Sequence, residues 1–179
     1  MKAPVRITPA QATPPSDSEA ARLVPGSYFH DAWAIPAAEP TLGPLAQFLR
    51  VAQTTPGWID GLMNFRNRVV GLFGLKNLGG LAQLDTTKPA ADYRPGDRVG
   101  IFTLISQSAT EALLGDSDKH LDVVVSVHKR ISATHGAAEI TVTTVVKVHN
   151  WLGRLYMVPV RPAHRVIARA MVRAIGEAV

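Results

Sequence analysis

The sequence of 179 residues contains no cysteine. Disulfide bonds, thiolate zinc sites and cysteine nucleophiles are therefore excluded. No stretch approaches the roughly 18 consecutive apolar residues that a membrane-spanning helix needs, and the N-terminus lacks the apolar core of a signal peptide. Serine nucleophile elbows, HExxH patterns and glycine-rich phosphate loops are also missing. We expect a soluble cytoplasmic protein with no metal and no cofactor.

Basic residues outnumber acidic residues but do not cluster. The 19 Lys and Arg against 14 Asp and Glu give a net charge of +5, and the sequence pI is about 9.9. Such a charge permits contact with anions. The sequence has no Lys/Arg run and no zinc-finger or RNA-recognition signature, so we expect no nucleic-acid partner. The length suffices for one domain with a single hydrophobic core.

The first 26 residues contain five prolines among small polar residues. Proline disfavours both a helix and the hydrogen-bond ladder of a sheet, which predicts an irregular arm over residues 1–26 and a single domain over residues 27–179. In the stretch that follows, Phe29, Trp33 and Ile35 lie on one side at strand spacing. We predict the first strand there.

Two short helices are predicted after this strand. The first covers residues 44–53 because its apolar residues recur at helical spacing. The second covers residues 55–74 and begins with a threonine cap followed by a proline, which is a helix start signal. Its predicted apolar face includes Trp58 and Met63.

Beyond residue 97 the apolar pattern changes to a period of two. It predicts strands over residues 98–106, 111–115, 120–130 and 139–149, and their short connections favour an antiparallel meander. The two longest strands each have one apolar face, which needs cover. We predict that a helix over residues 162–178 provides this cover. The expected fold is therefore α+β, with an antiparallel sheet wrapped around a long C-terminal helix.

Three segments resemble a bacterial family of unknown function: GDRVG at residues 96–100, LGDSDKHLD at 114–122, and HNWLGRLY at 149–156 with PAHR at 162–165. Members of that family occur alone or fused behind a short-chain-dehydrogenase-like domain. The resemblance implies that this chain is a stand-alone member and that an oxidoreductase is a candidate partner.

The element order also resembles the helix-grip fold of the START and Bet v 1-like (SRPBCC) superfamily. That resemblance implies a cavity between sheet and terminal helix, which holds apolar ligands and only sometimes supports catalysis.

We therefore expect an apolar ligand, such as a lipid or a polyketide-like molecule, in that cavity. The predicted lining combines apolar side chains with one histidine: Trp58, Met63, Phe102, Val125, Val146, Tyr156, His164 and Met171. His164 would anchor a polar group of the ligand together with Tyr156. Alternatively, it bonds to the connection at residues 150–156 and only packs the helix. If it faces the cavity, it could also transfer protons in an enzyme such as a cyclase or a hydrolase.

His120, Asp122 and His149 form a second candidate site. Alternation places all three on one face of a predicted hairpin, where a carboxylate-oriented imidazole or a two-histidine, one-carboxylate metal site is conceivable. The alternative is a solvated face, on which these residues need no function.

Two further groups of charged residues are candidates for a binding role. Asp116 and Asp118 lie in the turn before His120, where they could bind a cation or cap the turn with Asx-type hydrogen bonds. Arginines also recur every four residues in the terminal segment, so they form one ridge of the predicted helix. This ridge is either a solvated face or an electropositive strip for an acidic partner, a phosphate or an anionic membrane surface: Arg161, Arg165, Arg169 and Arg173.

Overall fold

The computed structural model describes residues 7–54, 57, 58, 61, 84, 88–131 and 137–177. The strands in these residues are β1 (Ala10–Gln11), β2 (Phe29–Pro36), β3 (Arg98–Val99), β4 (Phe102–Gln107), β5 (Glu111–Ser117), β6 (Leu121–Ile131) and β7 (Ala138–Val148). They form one antiparallel sheet with the order β1-β2-β7-β6-β5-β4-β3. The helices are α1 (Glu19–Leu23), α2 (Pro44–Gln53) and α3 (Trp151–Ile175), and a 3-10 turn covers Ala90–Asp92.

The predicted α+β fold is confirmed, since an antiparallel sheet accompanies a long C-terminal helix. The first short helix, α2, has its predicted bounds. Of the second, residues 57, 58 and 61 are described and helical, and the remainder of 55–74 lies outside the described residues. The strand predicted over 98–106 is a hairpin instead. Gly100, at φ 60°, takes the left-handed conformation that turns β3 back onto β4.

The C-terminal helix begins at Trp151, so the predicted start at Pro162 is wrong. The side chain of Asn150 caps this end by accepting a hydrogen bond from the backbone N–H of Gly153, at 3.1 Å. Asparagine is among the strongest N-cap residues because it satisfies an N–H that the helix leaves unpaired. The connection predicted at residues 150–156 is therefore the N-cap and about the first turn and a half of the helix.

Two prolines, Pro159 and Pro162, lie inside α3. Each removes the hydrogen bond to the carbonyl four residues earlier, here those of Leu155 and Val158. Both of these residues are exposed, so water can bind their carbonyls. The prolines are tolerated because the missing bonds lie on the solvent side of the helix.

α2 and α3 cover the same face of the sheet, which we call the helix-covered face. Its core packs strand residues against the apolar side of α2 and the last turns of α3: Ile35, Leu104, Leu114, Val127, Ile140, Phe48, Leu49, Val172 and Ile175. Arg50 of α2 also donates to the carbonyls of Ala174 and Ile175, at 3.3 and 2.9 Å. This contact ties α2 to the end of α3.

The sheet curls so that α3 meets strands from both of its sides. Phe29 of β2 packs in one cluster with Met157 of α3. Ile101, in the turn before β4, packs with Ile167 and Met171 of the same helix. Because three strands separate β2 from β4 in the sheet order, these contacts require the sheet to wrap around the helix, as predicted.

The segment predicted as an irregular arm contains β1 and α1, so that prediction is wrong for residues 10–11 and 19–23. The prolines at positions 9, 14, 15 and 25 flank these elements and do not interrupt them. β1 extends the sheet beside β2, and α1 packs across β5, β6 and β7. We call the side under α1 the arm-covered face. The domain boundary at residue 26 stays a prediction.

A buried carboxylate fastens α1 to the sheet. Glu111 accepts hydrogen bonds from the backbone N–H of Glu19, at 2.7 Å, and from the hydroxyl of Ser126, at 2.6 Å. Ser126 and Thr143 of this face are completely buried. The arm-covered face is therefore only partly solvated.

Candidate functional site

α3 is buried at its two ends and not in its middle. Its buried residues are Gly153, Met157, Val172 and Ile175. None of residues 158–171, all of which are described, is buried. A helix packed along its whole inner side on a sheet shows a buried residue every three or four positions. The middle of α3 therefore does not seal against the sheet.

The sheet residues that face α3 are buried to different extents, and Val125 and Thr144, which share a register row with Asp31, are buried. Val123 on β6, Val142 on β7 and Trp33 on β2 all point to the helix-covered face, where they pack beside the core, and all three are only partly buried. β6 is the central strand of seven, and side chains on a covered face of a central strand are normally buried. We use the name cleft for this incompletely buried zone between the middle of α3 and the sheet.

His164, in the middle of α3, contacts side chains of β2. Its Nε2 donates to Oδ1 of Asp31 on β2 at 3.1 Å, and the side chains are 23% and 8% exposed, respectively. The second oxygen of Asp31 accepts from the indole Nε1 of Trp33, at 3.2 Å. The ring of Phe29 meets the imidazole edge-on at 5.6 Å. His164 is thus oriented by a carboxylate and an aromatic ring, and its Nδ1 is the nitrogen that can contact a ligand.

Asp31 was not among the predicted site residues, although the sequence carried a signal for it. Strand alternation places Asp31 on the same side as Phe29 and Trp33. A carboxylate between two aromatic residues on a buried strand face needs a partner, because an unpaired buried charge is costly. The partner could not be identified, because His164 lies 133 positions away in the sequence.

Five residues of the predicted lining pack on the helix-covered face. Phe102, Val125 and Met171 belong to the larger core cluster, and Val146 and Tyr156 belong to the smaller cluster around Met157. The His164–Asp31 pair lies between the two clusters, because Phe29 belongs to the smaller one and Trp33 packs against the larger one. Trp58 is 46% exposed, and Met63 lies outside the described residues.

His120, Asp122 and His149 divide between two contacts. His149 Nε2 lies 3.0 Å from Oδ2 of Asp122, whose Oδ1 accepts from the hydroxyl of Ser117 at 2.5 Å. The imidazole of His120 is buried and contacts the side chain of Asn150, at 3.1 Å. Within the described ranges, no group of three histidines or carboxylates is arranged to hold a metal ion.

The surroundings of Asp122 lower the pKa of its carboxyl group. Burial raises the pKa of Asp122, but the hydrogen bonds from Ser117 and His149 and the charge of Lys147 outweigh burial and lower it below 3.8. Asp122 is therefore ionised at neutral pH.

The turn before β6 contains Asp118, which accepts hydrogen bonds from the backbone N–H groups of His120 and Leu121, at 2.7 and 3.0 Å. The turn is capped by Asx-type bonds, which was one of the two predicted alternatives.

A second concavity lies on the arm-covered face, at the end where Asp122 is located. It is an open groove of about 560 Å³. Its wall has an apolar part and a polar part: Leu23, Ile105, Val124 and Val145, with Ser117, Asp122 and Lys147. Sequence periodicity does not predict this groove, because Leu23 lines it only when α1 packs on the sheet.

Two arginines of the ridge on α3 stack on aromatic side chains in or next to β2. The guanidinium of Arg161 stands over the ring of Tyr28 at 4.5 Å, and that of Arg169 stands over Trp33 at 5.2 Å. Arg173 pairs with Glu177 at 2.9 Å, and Arg165 is exposed. Most of the ridge is therefore held in fixed positions.

These features define an α+β domain in which an antiparallel sheet packs against a long C-terminal helix, and a carboxylate–imidazole pair joins the two. The chain belongs to the family described as "Protein of unknown function (DUF2867)", which matches residues 23–171. That span includes both Asp31 and His164. No curated protein and no solved structure matches the chain. No helix in the part of the chain that the structure describes has both the length and the apolarity of a membrane span.

Proposed function

We propose that this protein binds an apolar small molecule, such as a lipid or a polyketide-like compound, in the cleft between α3 and the sheet, and that it does so in the cytoplasm. The proposal rests on one observation: α3 has no buried residue over positions 158–171, all of them described, while both of its ends are buried. The resemblance to the START and Bet v 1-like superfamily supports it by analogy.

The polar pair in the cleft indicates what the ligand carries. Apolar binding sites fix the orientation of their ligands with a few polar groups. Asp31 is occupied on both oxygens, by His164 and Trp33. His164 is therefore the group that would meet the ligand. A carbonyl, hydroxyl or carboxyl group on an otherwise apolar skeleton fits this arrangement.

Substitutions at two adjacent strand positions test the site. Val123 packs against both apolar clusters of the helix-covered face and also borders the groove, whereas Val124 lines the groove and belongs to neither cluster. We would first examine freshly purified protein by native mass spectrometry for a bound compound. We would then titrate the wild type, Val123→Trp and Val124→Trp with the apolar fluorophore 1-aminoanthracene. Filling the cleft should abolish fluorophore binding in Val123→Trp and leave it unchanged in Val124→Trp.

Circular dichroism and thermal melting of both variants would establish that they fold. Loss of binding in Val124→Trp, with Val123→Trp unchanged, would move the site to the groove and refute the cleft proposal. Absence of any binding to the wild type, after removal of a copurified ligand by organic extraction, would also refute it.

An enzyme is the second candidate, and the carboxylate-oriented imidazole in the cleft is the observation that favours it. A carboxylate that holds an imidazole in one tautomer is a common arrangement for a general base. The test is to incubate a compound identified by native mass spectrometry with the protein and with His164→Gln. Conversion by the wild type and retained binding without conversion by the variant would support catalysis. Recovery of the compound unchanged from the wild type would exclude catalysis on that compound.

A further inference from the structure

The outer side of α3 carries an exposed apolar stripe. Trp151 is 73% exposed, Leu155 52%, Val158 66% and Val166 59%. Their spacing of four, three and eight positions keeps them on one side of the helix. Four of the eight large apolar side chains that are exposed among the described residues thus lie on this one stripe. Contiguous exposed apolar surface of this type marks a contact with a partner or a membrane.

The charge beside the stripe has a single sign. α3 contains five arginines and neither aspartate nor glutamate between Trp151 and Ile175. Arg154 and Arg165 are exposed. The guanidinium of Arg161 is fixed over Tyr28 and keeps its charge there. The stripe is therefore bordered by fixed positive charge, which is complementary to an anionic surface.

The two prolines of α3 limit how deeply this side can be buried. The carbonyls of Leu155 and Val158 lack their helical hydrogen bonds because of Pro159 and Pro162. In hydrocarbon such unpaired groups cost several kcal/mol each. At the level of lipid headgroups they stay hydrated. A shallow interfacial contact fits these residues, and deep insertion does not.

We propose that the outer side of α3 docks on the surface of an anionic lipid bilayer. A helix with an apolar stripe, a tryptophan at one end and arginines along the border is the type of helix that lies in the plane of a bilayer interface. The cleft lies on the inner side of the same helix. Docking does not depend on the ligand proposal, since it uses side chains that do not line the cleft.

Vesicle flotation of the full chain tests the proposal. One vesicle preparation contains phosphatidylcholine alone, and the other contains about 30% phosphatidylglycerol. The chain should float with the anionic vesicles and not with the neutral ones, and about 0.5 M NaCl should release most of it, because salt screens the attraction.

Two pairs of variants separate the stripe from general charge effects. Arg165→Glu and Val158→Glu should each weaken binding to the anionic vesicles by about tenfold or more. Arg22→Glu changes the net charge as Arg165→Glu does, but it lies in α1 on the arm-covered face. Ile131→Glu is the control for Val158→Glu, because Ile131 is 67% exposed at the end of β6, away from the stripe. The two controls should change binding by less than about threefold.

Equal flotation with both vesicle types, or an equal loss in the controls and the stripe variants, would overturn the proposal. A concentration-dependent dimer or a complex with an acidic protein that Val158→Glu dissolves, combined with unchanged flotation, would assign the stripe to a protein partner and would also overturn it. The Val123→Trp variant should float like the wild type. Failure of the ligand proposal and failure of docking are thereby distinguishable.

Discussion

His164 in the middle of α3 and Asp31 on β2 are joined at 3.1 Å across the cleft between helix and sheet. Together with the contact of Arg161 with Tyr28 and the packing of Met171 on Ile101, this pair connects the middle of α3 to the sheet. It also places a carboxylate and an imidazole side by side on the largely apolar helix-covered face.

Removal of Asp31 should destabilise the protein. Asp31→Ala leaves the donors of His164 and Trp33 without their acceptor, and because both side chains are only partly buried, each lost hydrogen bond should cost about 1 kcal/mol. Urea unfolding should show this loss, and a double-mutant cycle with His164→Ala should show a coupling of about 0.5–3 kcal/mol. His30→Ala, at the adjacent exposed position of β2, is the control and should change stability by less than about 0.5 kcal/mol. Additive single effects of Asp31 and His164 would show that the pair is not coupled.

The beginning of α3 should not tolerate a methyl group at Gly153. A Cβ there would collide with the carbonyl oxygen of His120 and approach Val148 Cγ1 to 2.9 Å. The overpacking cost of about 1–3 kcal/mol outweighs the gain of about 1 kcal/mol in helix propensity. Gly153→Ala should therefore lower the thermal midpoint. Gly61→Ala is the matched control, because its Cβ meets nothing within 4 Å, and it should raise the midpoint slightly; a rise in both variants would refute the collision.

The arm should detach when its buried carboxylate is removed. Glu111→Ala leaves the hydroxyl of Ser126 and the N–H of Glu19 without an acceptor. Trypsin should then cut at the exposed Arg22 several-fold faster than in the wild type, as followed by mass spectrometry over time. Glu139→Ala, an exposed carboxylate on β7, should not change the rate. An unchanged rate in Glu111→Ala would mean that other contacts suffice to hold the arm.

Acid should remove the stabilising contribution of Asp122. Its pKa is below 3.8 in the folded protein: burial raises it, and the bonds from Ser117 and His149 lower it more. A carboxyl group whose folded pKa is lowered contributes stability above its unfolded pKa and loses it as the pH falls through the folded value. Asp122→Asn should therefore be less stable than the wild type at pH 7, with a difference that shrinks below about pH 3.8. Ser117→Ala should show part of the effect. Unfolding curves from pH 7 to pH 2 measure it, and a difference independent of pH would contradict this assignment.

Much of the fold could be predicted because alternation is a local property of the chain. The apolar sides of β6 and β7 were assigned correctly from residues such as Val127 and Ile140, which lie in the core. The end of the C-terminal segment was correctly assigned to a helix for the same reason. The arm was predicted wrongly because proline content reports the preference of the isolated chain. Proline content cannot predict that β2 pairs with β1 or that the Glu111 carboxylate holds α1, because both contacts come from residues distant in the sequence.

Periodicity in short windows is sufficient to predict the α+β class, the antiparallel order of the long strands and the need for a helix on their apolar face. The start of α3 at Trp151 depends on the tertiary fold, because its two prolines are tolerated only where the freed carbonyls face water. The contact between Asp31 and His164 depends on the tertiary fold as well. That contact depends on how the sheet curls around the helix, and no local pattern encodes the distance between two residues so far apart in the chain.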